Sequence, residues 1–380
     1  MRLVAFSDLH LDAPFARGGP ALVRLRRAAL REALIGVAQL ATSVDADAVL
    51  CAGDLFEHDR VSPDTAELLR RTFAELAPTP VLLAPGNHDW FGASSIYATT
   101  AWSSNVHVFS HSALEPFRLS ERLVIWGAAH QAPSGTHGLL DNFSVARAWQ
   151  RDADESARAA GDLVHIGLFH GSEESDFTLQ ADPDKVLHAP FRSEQIAASG
   201  LAHAVVGHYH LRREASTHTY PGNPAPLSFG ERGDGGAVVI DVGADGSVTR
   251  RWERICSLEV HDLEVDIGGL GDAAAISDAL TSLLAGHGGV ARVTIVGEVA
   301  PTLDLDLALK SEIAHGLDQL ELRTGRLTDG YDLHHICEEP TVRGQFVRDV
   351  LESDLDDDEQ RRVIATGLRA LSGRDDLEVA

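Results

Sequence analysis

Five short apolar runs in this chain end in the same way. In "RLVAFSDLH", "DAVLCAGDLF", "VLLAPGNHDW", "LVHIGLFHG" and "HAVVGHYH", a strand-like stretch stops and at once presents Asp, Asn or His. The residues are Asp8 and His10; Asp54; Asn87, His88 and Asp89; His170; and His208 and His210. Turn chemistry explains Pro85, Gly86 and Asn87. It does not explain a histidine and an aspartate where a buried strand surfaces. Ligand sites of α/β folds lie at the carboxyl ends of strands, so these groups can converge on one cleft. In an extended segment residues two apart share a face, which makes Asp8 with His10, and His208 with His210, expected same-face pairs.

The rest of the pattern supports an α/β fold. Residues 21–42 read as an amphipathic helix with Leu22, Leu25, Ala29, Leu30, Ala33, Leu34, Val37 and Leu40 on one face. Residues 62–76 read as a second helix, with Ser62 as cap and Pro63 in the first turn. Strands interleaved with helices continue through "LVIWGAAH" and "GGAVVIDVG". We expect a catalytic domain over 1–252 and a smaller α/β domain over 253–337. The latter would hold strands in "SLEVHDLEVDI" and "VARVTIVGEVA", a helix in "DAAAISDALTSLLAG" and a further helix over 307–320. Residues 338–380 read as helical, with Val342, Phe346, Val347, Val350 and Leu351 as a stripe and a solvated acidic helix start after Asp354.

Composition narrows the functional classes. With 380 residues, 44% hydrophobic and 23% charged, the chain is an ordinary globular protein with ample core. The apolar run before Ser7 is too short for a signal-peptide core, and no segment has the length of a membrane span, so the expected location is the cytoplasm. Three scattered cysteines suggest neither a disulfide framework nor a cysteine zinc site. A net charge of −25 opposes unaided binding to a polyanion. Nearly all basic residues are arginines, which suit phosphate contacts but equally reflect codon bias.

The donors favour a pair of ions. Asp8, His10, Asp54, Asn87, His170, His208 and His210 make seven, close to the roughly six to eight that two metals with a bridging carboxylate require. Mixed imidazole and carboxylate donors suit manganese, iron or zinc better than magnesium or calcium. Each motif alone has a plain explanation as loop or turn chemistry. Together, in this order and all at strand ends, they do not. Most of the 19 histidines, including His58, His130, His188 and His203, are expected at the surface or satisfied in the core.

The order Asp8-Leu9-His10, Gly53-Asp54, Gly86-Asn87-His88-Asp89, His170 and Gly207-His208-Tyr209-His210 resembles the calcineurin-like metallophosphoesterase superfamily. The resemblance implies a four-layer α/β/β/α sandwich, with Asp8, His10 and His210 on one metal. Asn87, His170 and His208 hold the other, and Asp54 bridges. It also implies in-line attack on phosphorus, His88 as proton donor or stabiliser facing the leaving oxygen, and Asp89 supporting the catalytic site.

Shorter stretches resemble one branch, the SbcD/YhaO-type DNA repair exonucleases: "GDLFEHDRVSP", "TYPGNPAPLSFGE" and "TVRGQFVRDVLE". That branch implies manganese, DNA as substrate, a smaller capping domain, C-terminal helices that dock on an SMC-like (SbcC-like) ATPase, and a homodimer. One departure matters. Glu57 stands where those nucleases carry a histidine, and His58 follows one place later. An acid at that spacing orients the catalytic histidine in some phosphatases, so either Glu57 or His58 is expected to support His88. Three readings follow: a DNA exonuclease or endonuclease, a phosphodiesterase or phosphatase acting on nucleotides or another small phosphoester, and a non-catalytic recruiting subunit. The last predicts lost ligands, and none is missing. Arg17 and Arg60, near two of the motifs, are candidate DNA contacts; no other substrate-binding residue stands out.

Overall fold

The structure, a computed structural model, describes residues 1–15, 19–134, 137–152, 163–174, 187–231, 235–299, 313 and 315–371. The chain divides into two units, Met1–Val260 and His261–Ala380.

The first unit is built on two mixed six-stranded sheets. In one, β1 (Arg2–Phe6), β2 (Ala48–Cys51), β3 (Val81–Leu83) and β4 (Val106–Val108) run parallel. In the other, β5 (Glu115–Arg118), β6 (Leu123–Gly127), β7 (Val164–His170), β8 (His203–Gly207), β9 (Arg213–Glu214) and β10 (His218–Tyr220) take the order β5-β6-β7-β8-β10-β9. Two late strands, β11 (Gly236–Val242) and β12 (Val248–Arg254), return antiparallel beside β1 in the first sheet.

Period-two alternation sorts the side chains. Leu3, Ala5, Leu50 and Leu82 meet Ile125, Ile166, Leu168 and Val205 in a core shared by both sheets. On the opposite face of the first sheet, Val4, Phe6, Val49 and Val81 pack with Leu30, Leu34 and Val37 of α1 (Pro20–Ser43) and Leu69 and Phe73 of α2 (Pro63–Glu75). The second sheet turns Val124, Trp126, Phe169 and Val206 toward Val145 of α4 (Val145–Asp152) and Ile196 of α5 (Ser193–Ala198). Between β3 and β4 a one-turn helix, α3 (Ile96–Thr99), carries buried Tyr97. Strands in the parallel stretch are therefore covered on both faces, which is why they read as continuous apolar runs.

The helix starts follow the sequence. The Ser62 hydroxyl accepts from the Thr65 N–H at 3.2 Å and caps α2. α1 buries Leu22, Ala29, Leu30, Ala33, Leu34 and Val37 as expected, but its stripe also contains Arg26, 5% exposed. The Arg26 guanidinium lies over the rings of Phe15 and Phe229, at 5.1 and 4.8 Å.

The division of the chain falls at Val260, beyond the expected 252. β12 pairs with β11 along its whole length, and the Ile255 and Cys256 N–H groups both reach the Gly235 carbonyl. In the second unit β13 (Val260–Asp266), β14 (Val290–Val299) and β15 (Gln319–Asp329) form a small sheet, with α6 (Ala273–Leu284) packing Ile276, Leu280 and Leu284 against Val293 and Ile295. Of the helix expected over 307–320, Gln319 and Leu320 belong to β15 instead, and residues 307–312 and 314 lie outside the described residues.

α7 (Leu333–Glu338), α8 (Val342–Leu351) and α9 (Asp357–Leu371) form their own core around Ile336, Val347, Val350, Ile364 and Leu368. Gly367 lets the Phe346 ring approach so closely that a β-carbon there would collide with it. Val347 and Val350 of the apolar stripe are thus spent on α7 and α9, whereas Val342 stays 75% exposed. Among the described residues, no helix is long and apolar enough to cross a membrane.

Candidate metal centre

The candidate ligands converge, but not because strands run on in extended form. β1 ends at Phe6, and Asp8 and His10 both sit in the left-handed region at φ 55° and 48°. Asp54 does the same at φ 52°, and His208 has φ 114°. The expected same-face pairing of extended residues is therefore corrected: the chain curls at the ends of β1, β2 and β8, whereas His170 still belongs to β7. Such a backbone costs non-glycine residues about 1–2 kcal/mol each, so it persists only where the surroundings fix it. Here the Asp8 N–H donates to the Gly53 carbonyl (3.0 Å), the His10 N–H to the Asp54 carbonyl (2.9 Å) and the His208 N–H to the Asp8 carboxylate (3.0 Å). Close approach adds a steric condition. A β-carbon on Gly207 would lie 2.0 Å from the Ala52 carbonyl oxygen, and one on Gly86 2.3 Å from Asp54 Oδ1.

Three groups with metal-ligand geometry result. Ligand atoms of Asp8, His10 and His210 lie within 4.8 Å of one another, as do those of Asp8, Asp54 and His170 and those of His10, Glu57 and His88. Asn87 Oδ1 is 3.0 Å from His170 Nε2, and the His208 ring centroid stands 5.2 Å from that of His170. Asp54 Oδ2 lies between, 3.3 Å from His170 Nε2 and 3.6 Å from His10 Nε2.

The donor set fits divalent ions. His10 Nδ1 pairs with Glu57 (2.7 Å), His170 Nδ1 with the Ala52 carbonyl (2.9 Å) and His210 Nδ1 with Glu231 (2.9 Å). Each acceptor takes the Nδ1 proton and leaves Nε2 as a lone pair, the arrangement that orients imidazole toward a metal. His10 Nε2 is buried with no hydrogen-bond partner, which an ion would resolve. Clusters of this kind are typical of a two-metal phosphoesterase.

The electrostatics are those of packed opposite charges. Burial works to raise the Asp54 pKa, but His170, His10 and His88 hold it well below the carboxylate range. Burial likewise opposes charge on His170 and His210. Asp54 nevertheless raises the first to about 9, and Glu231 raises the second to about 9. For His208, burial and then the neighbouring His170 outweigh the opposing pull of Asp54, and its pKa falls to about 2.

Around the ligands, Glu57 and not His58 reaches His88. Its two oxygens take His10 Nδ1 at 2.7 Å and His88 Nδ1 at 3.1 Å. Burial resists its charge, but those two hydrogen bonds lower it to about 2, and the Glu57 bond in turn raises His88. His58 stacks on Trp90, with ring centroids 3.9 Å apart, and donates only its backbone N–H to the His88 carbonyl. His88 is 46% exposed and open to a reactant.

Asp89 is different from its neighbour. Wholly buried, it accepts from the N–H groups of Asp54 (3.0 Å), Leu55 (2.7 Å) and Gly86 (2.6 Å) and from the Tyr97 hydroxyl (2.5 Å). Expected on sequence as support for the catalytic site beside His88, it ties two strand ends together through these bonds. Burial, then Asp54, raises it to about 6. Arg60 lies exposed on the turn after Glu57, and Arg17 lies outside the described residues.

Sequence reasoning missed Glu231, His130 and His188. Glu231 was legible as part of the "FGE" run; it also binds the Asn223 amide (2.6 Å) and the Leu227 N–H (2.8 Å). His130 Nε2 donates to the His170 carbonyl at 2.8 Å, and burial lowers its pKa to about 4. The His188 ring stands 5.3 Å from that of His208.

Known proteins resemble the chain to differing degrees. The uncharacterized metallophosphoesterase YhaO of Bacillus subtilis (strain 168) is 27% identical over 275 residues, covering 69% of this chain; the chain spans 62% of that relative's length. Among solved structures, TT1561 of Thermus thermophilus aligns with a TM-score of 0.37 and 14% identity, over 66% of this chain and 98% of that one. Yfce, a phosphoesterase from E. coli, aligns with a TM-score of 0.29 and 13% identity, over 67% of this chain and 100% of its own. Residues 1–221, which carry every candidate ligand, match the calcineurin-like phosphoesterase family, and with that match covering more than half its length the chain belongs to that family of metal-dependent phosphoesterases.

Proposed function

We propose that the chain is a two-metal phosphodiester hydrolase acting on DNA, an exonuclease or endonuclease of the SbcD/YhaO kind that works in repair with an SMC-like ATPase. The observation that carries the polymer reading is the exposure of His88: at 46% exposed, the leaving-group side of the cluster is open, as a long substrate requires. Manganese is the favoured ion, with iron or zinc compatible with the same donors. The second unit would serve as the cap that guides DNA, and α8 and α9 would dock the ATPase through residues such as exposed Val342.

Bound metals supply charge neutralisation at the phosphoryl group and activation of the attacking water. The chain does the rest. Asp89 fixes the backbone under Asp54, so that one carboxylate lies between the two ligand groups. Glu57 accepts from the Nδ1–H of His88 and favours the protonated ring, whose Nε2–H can then pass to the departing oxygen. The same Glu57–His88 bond favours a second reading, a phosphatase or phosphodiesterase acting on a small ester, because an acid at this spacing orients the catalytic histidine in some phosphatases.

End-labelled linear duplex DNA with manganese, alongside a generic phosphodiester reporter, separates the two, with Asp54→Ala as the inactive control. Nucleotide release absent from the control supports the nuclease. Reporter turnover with untouched DNA, even with the ATPase added, would move the assignment to the small ester.

A further inference from the structure

One imidazole beyond the seven candidate ligands stands against the cluster. His188 is tied to the end of β7: the Ser172 N–H donates to the His188 carbonyl (2.8 Å), and the His188 N–H donates to the Ser172 hydroxyl (3.1 Å). The Phe191 N–H returns to the Ser172 carbonyl at 3.0 Å, closing a short ladder. Gly171 makes the approach possible, since a β-carbon there would lie 2.6 Å from the Ala189 carbonyl oxygen. Position 188 is thus fixed against the segment that follows His170. Its ring centroid lies 5.3 Å from that of His208 and 6.3 Å from that of His130.

Outside the five strand-end motifs that carry the candidate ligands, this residue has the setting of a reactant contact. Its Nδ1 is buried without a hydrogen-bond partner. A buried N–H lacking an acceptor carries the full desolvation penalty, so the proton belongs on Nε2, where it can be donated. Besides His130 behind His170, two non-ligand imidazoles of different character stand against the cluster. His88 packs edge-on against His10, with centroids 4.7 Å apart, and is bound to Glu57. His188 lies on the His208 flank and has no carboxylate partner among the described ion pairs.

We propose that His188 is a substrate-contact residue whose imidazole N–H donates to a non-bridging oxygen of the phosphoryl group on the His208 flank. A fixed donor aimed where negative charge gathers stabilises it more than mobile water does. The proposal rests on phosphoester hydrolysis at this cluster and is indifferent to whether the ester is DNA or a small molecule.

The test uses the full chain loaded with manganese, as wild type, His188→Phe and His188→Gln. Phenylalanine keeps a ring against His208 and removes the donor; the glutamine carboxamide offers an N–H at similar reach. Metal content, inorganic phosphate affinity by calorimetry, and KM and kcat on a phosphodiester reporter are measured. In His188→Phe, metal content stays at the wild-type value while phosphate affinity falls about tenfold, the loss of one hydrogen bond to a charged group. KM rises with it, and His188→Gln recovers part of both. Wild-type phosphate affinity and KM in the phenylalanine variant would mean that the ring only packs, and loss of an ion would place His188 among the ligands; either overturns the proposal. Failure of the underlying reading looks different, since the wild type itself would then leave the reporter intact.

Discussion

Glu57 spends its two oxygens on two histidines, and the bonds have separable consequences. Through His10 it supports a candidate metal ligand; through His88 it supports the proposed proton donor. His88→Asn should therefore keep its metal content and lose turnover by about 10²–10⁴-fold, the usual worth of a general acid. Glu57→Gln should lose turnover too, and in addition weaken metal affinity by about 10–100-fold, as removal of a ligand's hydrogen-bonding partner does. Metal titration of both variants checks the pair. Equal metal affinities would separate Glu57 from the His10 side.

At the scale of elements, β8 shows what the sequence carried and what it did not. "HAVVG" is apolar and β-branched, so the strand and its delivery of His208 were legible. His203, at its other end, read as a surface or core histidine without a role. It is 1% exposed, and burial, then Arg250, lowers its pKa to about 4. The folded chain keeps it neutral, whereas the unfolded chain protonates it near 6.5. Its contribution is thus complete above that pH and declines as pH falls toward 4, by about 3 kcal/mol. Denaturant titrations between pH 7 and pH 4 should show a shallower decline in His203→Gln than in wild type; parallel curves would remove His203 from the acid response. What stayed hidden is long-range. The short strands β4, β5, β9 and β10 exist because neighbours pair with them, and β15 lies in a polar, arginine-containing segment whose partner β14 supplies the ladder. The ligands were legible because strand ends announce them; their left-handed backbone was not, since neither Asp8 nor His10 is a residue that demands it.

For the whole molecule, charge would decide how DNA, the proposed substrate, arrives. A net charge of −25 repels a polyanion at long range. Raising ionic strength from about 0.01 M to about 0.15 M shortens the screening length roughly from 30 to 8 Å. For the isolated chain, kcat/KM on DNA should therefore rise over that range rather than fall. A steep fall would show that a local basic surface, and not the overall field, governs encounter. Within that field, the centre draws Asp8, His10, Asp54 and Asn87 from the ends of one sheet and His170, His208 and His210 from the ends of the other. Ions held there act as a clasp across the sandwich. Because they bind the closed form far better than an unfolded chain, thermal midpoint and protease resistance should both climb with manganese concentration, and a chelator should return them to a lower baseline. Scarcity of metal would then do more than idle the enzyme: it would shorten the life of the protein.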